Sequence, residues 1–294
     1  MNDVQKVLFD EPGPRARRRI RIATVIGALV IAAALVAAVR QFAAHGELDV
    51  ERWRPFTTWP IWRYLLIAAW ATIRAAAATA VLSGVLGLLL ALGRLSRRRI
   101  LRWLAGAYVE VFRTVPALLL IYLTLFALPA YGLNFSLFWK LVVPLVVSNA
   151  AAFAEIFRAG IKALDRGQAE AGHAIGLTSA QVMRLVVLPQ ALLRLAPSLV
   201  SQVVGLLKDT SLGFVVSFTE LLYSGQVLAS YTRLLIQTYL VVAVIYLVIN
   251  ASLSKFARVL QARNGRLLTG RRRSRSTAGP GPDRTPMLDG GALR

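Results

Sequence analysis

The sequence contains no cysteine and only two histidines, His45 and His173, among its 294 residues. The lack of cysteine excludes disulfides, thiolate metal sites, iron–sulfur ligation and cysteine nucleophiles. Two histidines supply too few ligands or bases for most zinc sites and histidine-dependent catalytic sites, so we predict no metal site and no catalytic residue. Acidic residues are also scarce, with 14 Asp and Glu against 35 Lys and Arg.

Apolar residues dominate the composition of the sequence. They make up 56% of the chain, and the mean hydropathy is +0.58. The basic residues lie between long uncharged runs, which is typical of a transmembrane protein and not of a nucleic-acid-binding face. The runs predict an all-α polytopic membrane protein with about six transmembrane helices, over 22–39, 75–93, 104–128, 138–157, 195–216 and 234–254. A signal peptide is the alternative for the first run, but no A-x-A type cleavage site leads into a soluble domain.

The distribution of positive charge along the sequence predicts how the chain is oriented in the membrane. With the N-terminus inside, the segments assigned to the cytoplasm hold 26 Lys and Arg and the outer segments hold 5, so we expect both termini to be cytoplasmic. We divide the chain into a basic N-terminus (1–21), an additional helix (22–39), an extracytoplasmic segment (40–63), a five-helix core (64–256) with a cytoplasmic loop (158–194), and a basic tail (257–294). The tail is rich in Gly, Pro, Ser and Arg from about residue 264, so we expect it to be disordered.

The loop at 158–194 contains signals for a helical elbow. Gly167 and Gly176 bracket a short helix, and Gly176 is suited to a left-handed C-cap. Thr178 and Gln181 have the spacing of a capping box, which starts a second helix that we expect Pro189 to end. Such an elbow suits docking into a partner's groove, whereas periodicity alone is equally compatible with a helix lying on the membrane.

The same loop resembles a known family. Glu170-Ala171-Gly172, followed by Gly176 and then by Val186, Leu188 and Pro189, is similar to the EAA loop of ABC importer permeases in residue type and spacing. Gly172 stands where the family usually has a second Ala, and Val186 where it usually has Ile. An Ala-to-Gly change in a helix costs about 1 kcal/mol, so Gly172 is expected to loosen the helix.

Further segments resemble the polar amino-acid permeases among these importers, and the resemblance extends over residues 60–256. They are FRTVP (112–116), SNAAAFAEIFRAGI (148–161), RGQAEA (166–171), LPQALLRLAPSL (188–199) and LLKDTSL (206–212). The N-terminal VLFDEPGPRARRR and the helix after it resemble actinobacterial glutamate-uptake permeases.

The resemblance implies a type I ABC importer permease in the cell membrane, working by alternating access and carrying glutamate or another polar amino acid. Its implied partners are an ABC ATPase dimer, a second permease of different sequence and an extracytoplasmic solute-binding protein. ATP and Mg²⁺ belong to the ATPase, and this chain has no G-x-x-x-x-G-K-[ST] phosphate loop. The residues implied to couple with the ATPase are Gly167, Glu170, Ala171, Gly172, Ile175, Gly176 and Pro189.

Polar residues inside the predicted spans are candidates for the substrate path, because an ionisable group in a bilayer is costly and faces a cavity or a partner. They are Asn149, Glu155, Lys208, Asp209, Thr210 and Ser211. We expect Glu155 or Glu110 to pair with Lys208. A structural ion pair between helices explains Lys208 and Asp209 equally well. An ion-coupled secondary transporter is the alternative function class, although no internal repeat supports it.

Overall fold

The computed structural model describes residues 13–273, and the regular secondary structure of this part of the chain is entirely helical, without a β-strand. The all-α prediction is confirmed. The helices are α1 (Pro14–Ala44), α2 (Val50–Trp53), α3 (Trp59–Leu95), α4 (Arg99–Thr114), α5 (Ala117–Tyr122), α6 (Leu128–Ala130), α7 (Leu137–Lys162), α8 (Arg166–Ala174), α9 (Ser179–Gln181), α10 (Leu188–Asp209), α11 (Leu221–Thr232) and α12 (Leu235–Arg273). Short 3₁₀ segments cover Arg54–Thr57 and Thr210–Val216, and π-helical turns cover Leu123–Ala127 and Val182–Val187.

Five helical segments of the described chain are long and apolar enough to cross a bilayer. They are Arg15–Ala44, Trp59–Leu95, Leu137–Lys162, Ser179–Val216 and Leu235–Phe256. A sixth span exists if α4 and Ala117–Ala130 are counted together, although the two are bent by 98°. The prediction of about six spans therefore agrees with the structure of the described residues, which has five, or six when the bent pair is counted as one span.

The bend corrects the single helix predicted over 104–128. Helix α4 ends at Thr114, and Val115 has extended backbone angles, φ −76° and ψ 124°. Pro116 follows, and a proline disfavours the helical conformation in the residue before it. The apolar run is continuous across this point, so hydropathy alone does not reveal the break.

The chain forms two compact units. One comprises Gly225–Val241 and the chain up to Leu65, and the other comprises Leu66–Ser224 and the chain from Val242 onward. In the first unit, the Gln237 side chain donates from Nε2 to the carbonyl oxygen of Glu47 at 2.8 Å and to its carboxylate at 3.0 Å. The Arg52 guanidinium lies 2.7 Å from the same carboxylate. These bonds attach the segment after α1 to the start of α12.

Helix α7 is the centre of the second unit. Gly87 of α3 lies so close to α7 that an added Cβ would be 2.6 Å from the Phe153 Cβ, and a Cβ on Gly160 would be 2.4 Å from Leu195 of α10. Ala151 and Ala154 form a buried cluster with Val109 of α4. Small residues thus let three helices approach α7 closely.

Helix α12 continues to Arg273, beyond the start of the disordered tail predicted from about residue 264. The remainder of that predicted tail (274–294) and most of the predicted basic N-terminus (1–12) lie outside the described residues.

Candidate functional site

The predicted elbow is present between α8 and α9. Asp165 caps α8, since its carboxylate accepts a hydrogen bond from the Gly167 backbone N–H at 3.0 Å. The other end of α8 closes with Gly176 at φ +83°. The Leu177 N–H donates to the Gly172 carbonyl and the Gly176 N–H to the His173 carbonyl, which is the hydrogen-bond pattern of a Schellman C-cap. The prediction for Gly176 is confirmed.

The second arm of the elbow starts with the predicted capping box. The Thr178 hydroxyl accepts from the Gln181 N–H, and the Gln181 side chain accepts from the Thr178 N–H at 2.8 Å. Pro189 does not end this arm, so that expectation is wrong. The widened π-helical turn at Val182–Val187 precedes α10, and Pro189 occupies the first turn of α10, where a missing N–H costs least.

The elbow is fixed to the helices behind it. Its inner side belongs to a buried cluster that includes Leu164, Val182 and Ala191, with Leu92 and Leu95 of α3 packed against it. The Gln190 side chain also donates to the Gln168 side chain at 3.2 Å and joins α10 to α8.

Gly172 fits this packing. It is buried, and an added Cβ would lie 2.9 Å from a methyl group of Val182. Glycine at this position therefore permits close contact between the two arms of the elbow, which offsets its low helix propensity.

The outer side of the elbow is exposed. Glu170 and Ala171 are exposed, and Ile175 retains 77% of its accessible surface. The Glu170 carboxylate makes no hydrogen bond or ion pair with another residue in the described part of the chain. This side of the elbow is therefore free to contact another protein.

A second polar group lies between α7 and α10. Asn149 is 4% exposed, and its Oδ1 accepts from Nε2 of Gln202 at 2.9 Å. Its Nδ2 donates to the Leu145 carbonyl at 3.0 Å, and the amide also interacts with the Asp209 carboxylate. Sequence reasoning missed Gln202, although an amide inside an apolar span is the same signal that identified Asn149.

Glu155 and Lys208 do not meet, which corrects the predicted pairing. The Glu155 carboxylate is paired with Arg94 of α3 and with Arg158, whose Nη2 lies 2.7 Å away. Glu110 lies 3.8 Å from Arg113 on the surface. Lys208 is exposed, and both carboxylates that were expected to pair with it are paired with arginines.

Thr210 and Ser211 mark the change from α10 to the 3₁₀ segment. Their hydroxyls donate to the carbonyls of Leu207 and Lys208, each at 2.7 Å. Thr210 is fully buried and Ser211 is half-buried. Both hydroxyls satisfy backbone groups at a helix end.

Glu220 is a buried acidic residue that sequence reasoning missed. It is 0% exposed and caps α11, accepting from the N–H groups of Leu222 at 2.9 Å and Tyr223 at 2.7 Å. The Tyr246 hydroxyl donates to the same carboxylate at 2.8 Å. An acidic residue directly before an apolar helix is a recognisable capping signal. Among residues 13–273, no three His, Asp or Glu side chains come together as a metal site would require.

Comparison with known proteins identifies the chain. Residues 83–266 match the family of binding-protein-dependent transport system inner membrane components. The chain belongs to this family. It is therefore a multi-pass inner-membrane permease of an ABC importer, and ATP is hydrolysed on a separate subunit.

Relatives of the permease include several amino-acid transport proteins. It is 37% identical to a glutamate transport system permease protein of Corynebacterium glutamicum over 228 residues, which cover 76% of this chain and 84% of the relative. It is 35% identical to a probable glutamine ABC transporter permease of Bacillus subtilis over 195 residues, covering 65% and 89% of the two chains. These matches place the permease among amino-acid importers.

Solved structures share its fold. A crystal structure of an amino acid ABC transporter with histidines superposes with a TM-score of 0.65 and 29% identity, covering 69% of this chain and 95% of that one. An inward-facing methionine ABC transporter gives a TM-score of 0.55 at 22% identity, covering 69% and 98%. The predicted importer permease fold is confirmed.

Proposed function

We propose that this permease imports glutamate by alternating access, with the energy entering through the elbow between α8 and α9. The observation that carries the choice of glutamate is the 37% identity to a glutamate permease over most of both chains. Another polar amino acid is the alternative, because a Rhodobacter capsulatus relative, 37% identical over 188 residues that cover 62% of this chain and 43% of the relative, is a glutamate/glutamine/aspartate/asparagine permease.

The geometry of the elbow supports its role in coupling. Glu170, Ala171 and Ile175 are exposed on it, so a groove of the ATPase can receive them. Gly167 and Gly176 lie at the two ends of α8. Its inner side is packed against α3 and α10, and movement of the elbow would therefore be transmitted to the helices that carry the polar residues.

Reversing the charge at Glu170 tests this role. We expect Glu170→Arg to abolish ATP-dependent uptake and to leave the amount of permease in the membrane unchanged, because the residue is exposed and makes no hydrogen bond or ion pair within the described chain. Lys162→Glu, a charge reversal at an exposed residue at the end of α7, is the control and should retain uptake. Normal uptake by Glu170→Arg would remove the coupling proposal.

The substrate path is proposed along α10. The Asn149, Gln202 and Asp209 group offers hydrogen bonds to an amino acid, and the exposed ammonium of Lys208 offers a charge for a carboxylate. Thr210 and Ser211 shape the adjoining turn. Glu155 is left outside the proposed path, because its ion pair with Arg94 joins α7 to α3.

Uptake by proteoliposomes tests the substrate. They contain this permease, its companion permease, the ATPase and the binding protein, and take up labelled glutamate in competition with unlabelled aspartate, glutamine, arginine and histidine. Glutamate should compete best. Lys208→Gln should lower glutamate uptake at least tenfold, the equivalent of about 1.4 kcal/mol, whereas Lys255→Gln on α12 should not. If another amino acid competes best, the substrate proposal fails and the family assignment stands.

The proposed assembly has two different permease subunits, with both termini of this chain in the cytoplasm. The excess of basic residues in the segments assigned to the cytoplasm supports this orientation. Since the chain has no cysteine, a single Ser96→Cys or Thr57→Cys substitution gives a unique label site. An impermeant maleimide added to intact cells should label position 57 and not position 96.

A further inference from the structure

Eight successive residues at the start of α4 are exposed. Four are arginines (Arg97, Arg98, Arg99, Arg102) and four are large and apolar (Ile100, Leu101, Trp103, Leu104). None of the four guanidinium groups makes an ion pair or a hydrogen bond with another residue of the described chain. This segment, 97–104, is called the basic entry of α4.

Helix α7 packs on the other side of α4. Val109 is fully buried in a cluster with Ala151 and Ala154 of α7, and Ala105 is 8% exposed. At about 100° per residue, the side formed by Ile100 and Trp103 is opposite the side formed by Ala105 and Val109. The exposed side of the basic entry therefore points away from α7.

The apolar part of this side continues along α4. Ile100, Leu104 and Val111 lie on one stripe and are 74%, 53% and 52% exposed. On a membrane protein, a continuous exposed apolar stripe is suited to contact with acyl chains. The arginines occupy only the entry end of this stripe, as expected where a helix passes from the hydrocarbon into the headgroup layer.

A surface cavity of about 410 Å³ lies at this transition. It is lined by Arg99, Ile100, Arg102 and Trp103, and its wall is almost entirely apolar. Tryptophan prefers the membrane interface, and a guanidinium group binds phosphate oxygens through paired hydrogen bonds. Two of the residues that line this apolar wall, Arg99 and Arg102, thus also carry unpaired phosphate-binding groups.

We propose that the basic entry of α4 binds an anionic phospholipid, with its phosphate on the arginines and an acyl chain along Ile100, Trp103 and Leu104. The charge of the surface is complementary to such a headgroup, and clusters of four or more basic residues beside a transmembrane helix attract anionic lipids. A soluble partner protein would explain the arginines, but it would not explain an apolar stripe that continues to Val111.

Quenching of Trp103 fluorescence tests the proposal. The assembled transporter is placed in nanodiscs of phosphatidylcholine that contain either brominated phosphatidylglycerol or brominated phosphatidylcholine at the same low mole fraction. The contribution of Trp103 is the difference between the wild type and Trp103→Phe. Brominated phosphatidylglycerol should quench it more strongly, and this preference should weaken as salt is added because the charges become screened.

Two matched variants assign the effect to the arginines. Arg99→Gln/Arg102→Gln should reduce the preference for phosphatidylglycerol by about fivefold for each arginine removed. Arg18→Gln/Arg19→Gln removes the same charge from exposed positions on α1 and should leave the preference unchanged.

Equal quenching by the two brominated lipids in the wild type would overturn the proposal, since Trp103 would then face lipid without selecting a headgroup. Quenching by neither lipid would also overturn it, because another protein would then cover the surface. Both outcomes are read from the wild type and Trp103→Phe, and they do not depend on the folding of the arginine variants.

Discussion

The buried carboxylate of Glu220 gives the sharpest test of the packing. Its Oε1 accepts from the Tyr223 N–H, and its Oε2 accepts from the Leu222 N–H and the Tyr246 hydroxyl. In Glu220→Gln, the amide NH₂ must replace one of these two oxygens. Whichever way the amide turns, a backbone N–H then faces an NH₂ group and loses its acceptor.

An unsatisfied buried donor costs about 1–3 kcal/mol, so we expect Glu220→Gln to destabilise the permease by about 2 kcal/mol. At roughly 2–4 °C per kcal/mol for a chain of this size, the midpoint of thermal unfolding should fall by about 4–8 °C. The assay is thermal unfolding of the purified complex in detergent, followed by the loss of the monodisperse species.

Tyr246→Phe is the matched control. It removes one donor and leaves both backbone N–H groups bonded to the carboxylate, so its cost should be smaller, about 1 kcal/mol. An unchanged midpoint in Glu220→Gln, or a larger loss in Tyr246→Phe than in Glu220→Gln, would refute the reasoning.

Two further predictions concern Gly172 and Glu47. Gly172→Ala should fail to gain the stability of about 1 kcal/mol that alanine brings to a helix, because its Cβ would lie 2.9 Å from a Val182 methyl group. Thermal unfolding measures this difference. The control is Gly167→Ala, at an exposed glycine of the same helix, which should not lose stability. Hydrogen bonds from Gln237 and then Arg52 lower the pKa of Glu47. The resulting stabilisation is present above the ordinary glutamate pKa and is lost as the pH falls through the lowered one, so the stability difference between the wild type and Gln237→Ala should be largest near neutral pH and shrink in acid. A difference that grows in acid would contradict this account.

The elbow was predictable because its signals act over one helical turn. The left-handed conformation at Gly176 and the reciprocal bonds of Thr178 and Gln181 depend on residues at most five positions away. Local chemistry of this kind is similar in every context. The family resemblance located the same segment for the same reason, since its motif is contiguous.

The prolines show where such local rules fail. Pro116 coincides with a break of 98°, whereas Pro144 and Pro197 lie inside continuous helices and Pro189 follows a π-helical turn. A proline lacks a backbone N–H donor in each case, but neighbouring helices decide whether the chain bends or continues. The sequence identifies the weak points of the helices, and tertiary packing selects which of them open.

The partners of the intramembrane residues depend on helix rotation, which apolar runs do not specify. Gln202 and Asp209 are seven residues apart, close to two turns, and both lie toward Asn149 on α7. Lys208 is offset from Asp209 by about 100° and is exposed. Glu155 is likewise turned away from the side of α7 that carries Asn149, because six residues correspond to about 240°, and it meets Arg94 of α3 instead. A Glu155–Lys208 pair would require both helices to be rotated. The seven-residue spacing of Gln202 and Asp209 does indicate the rotation of α10, because two polar residues on one side of an apolar helix mark the side that meets a polar partner.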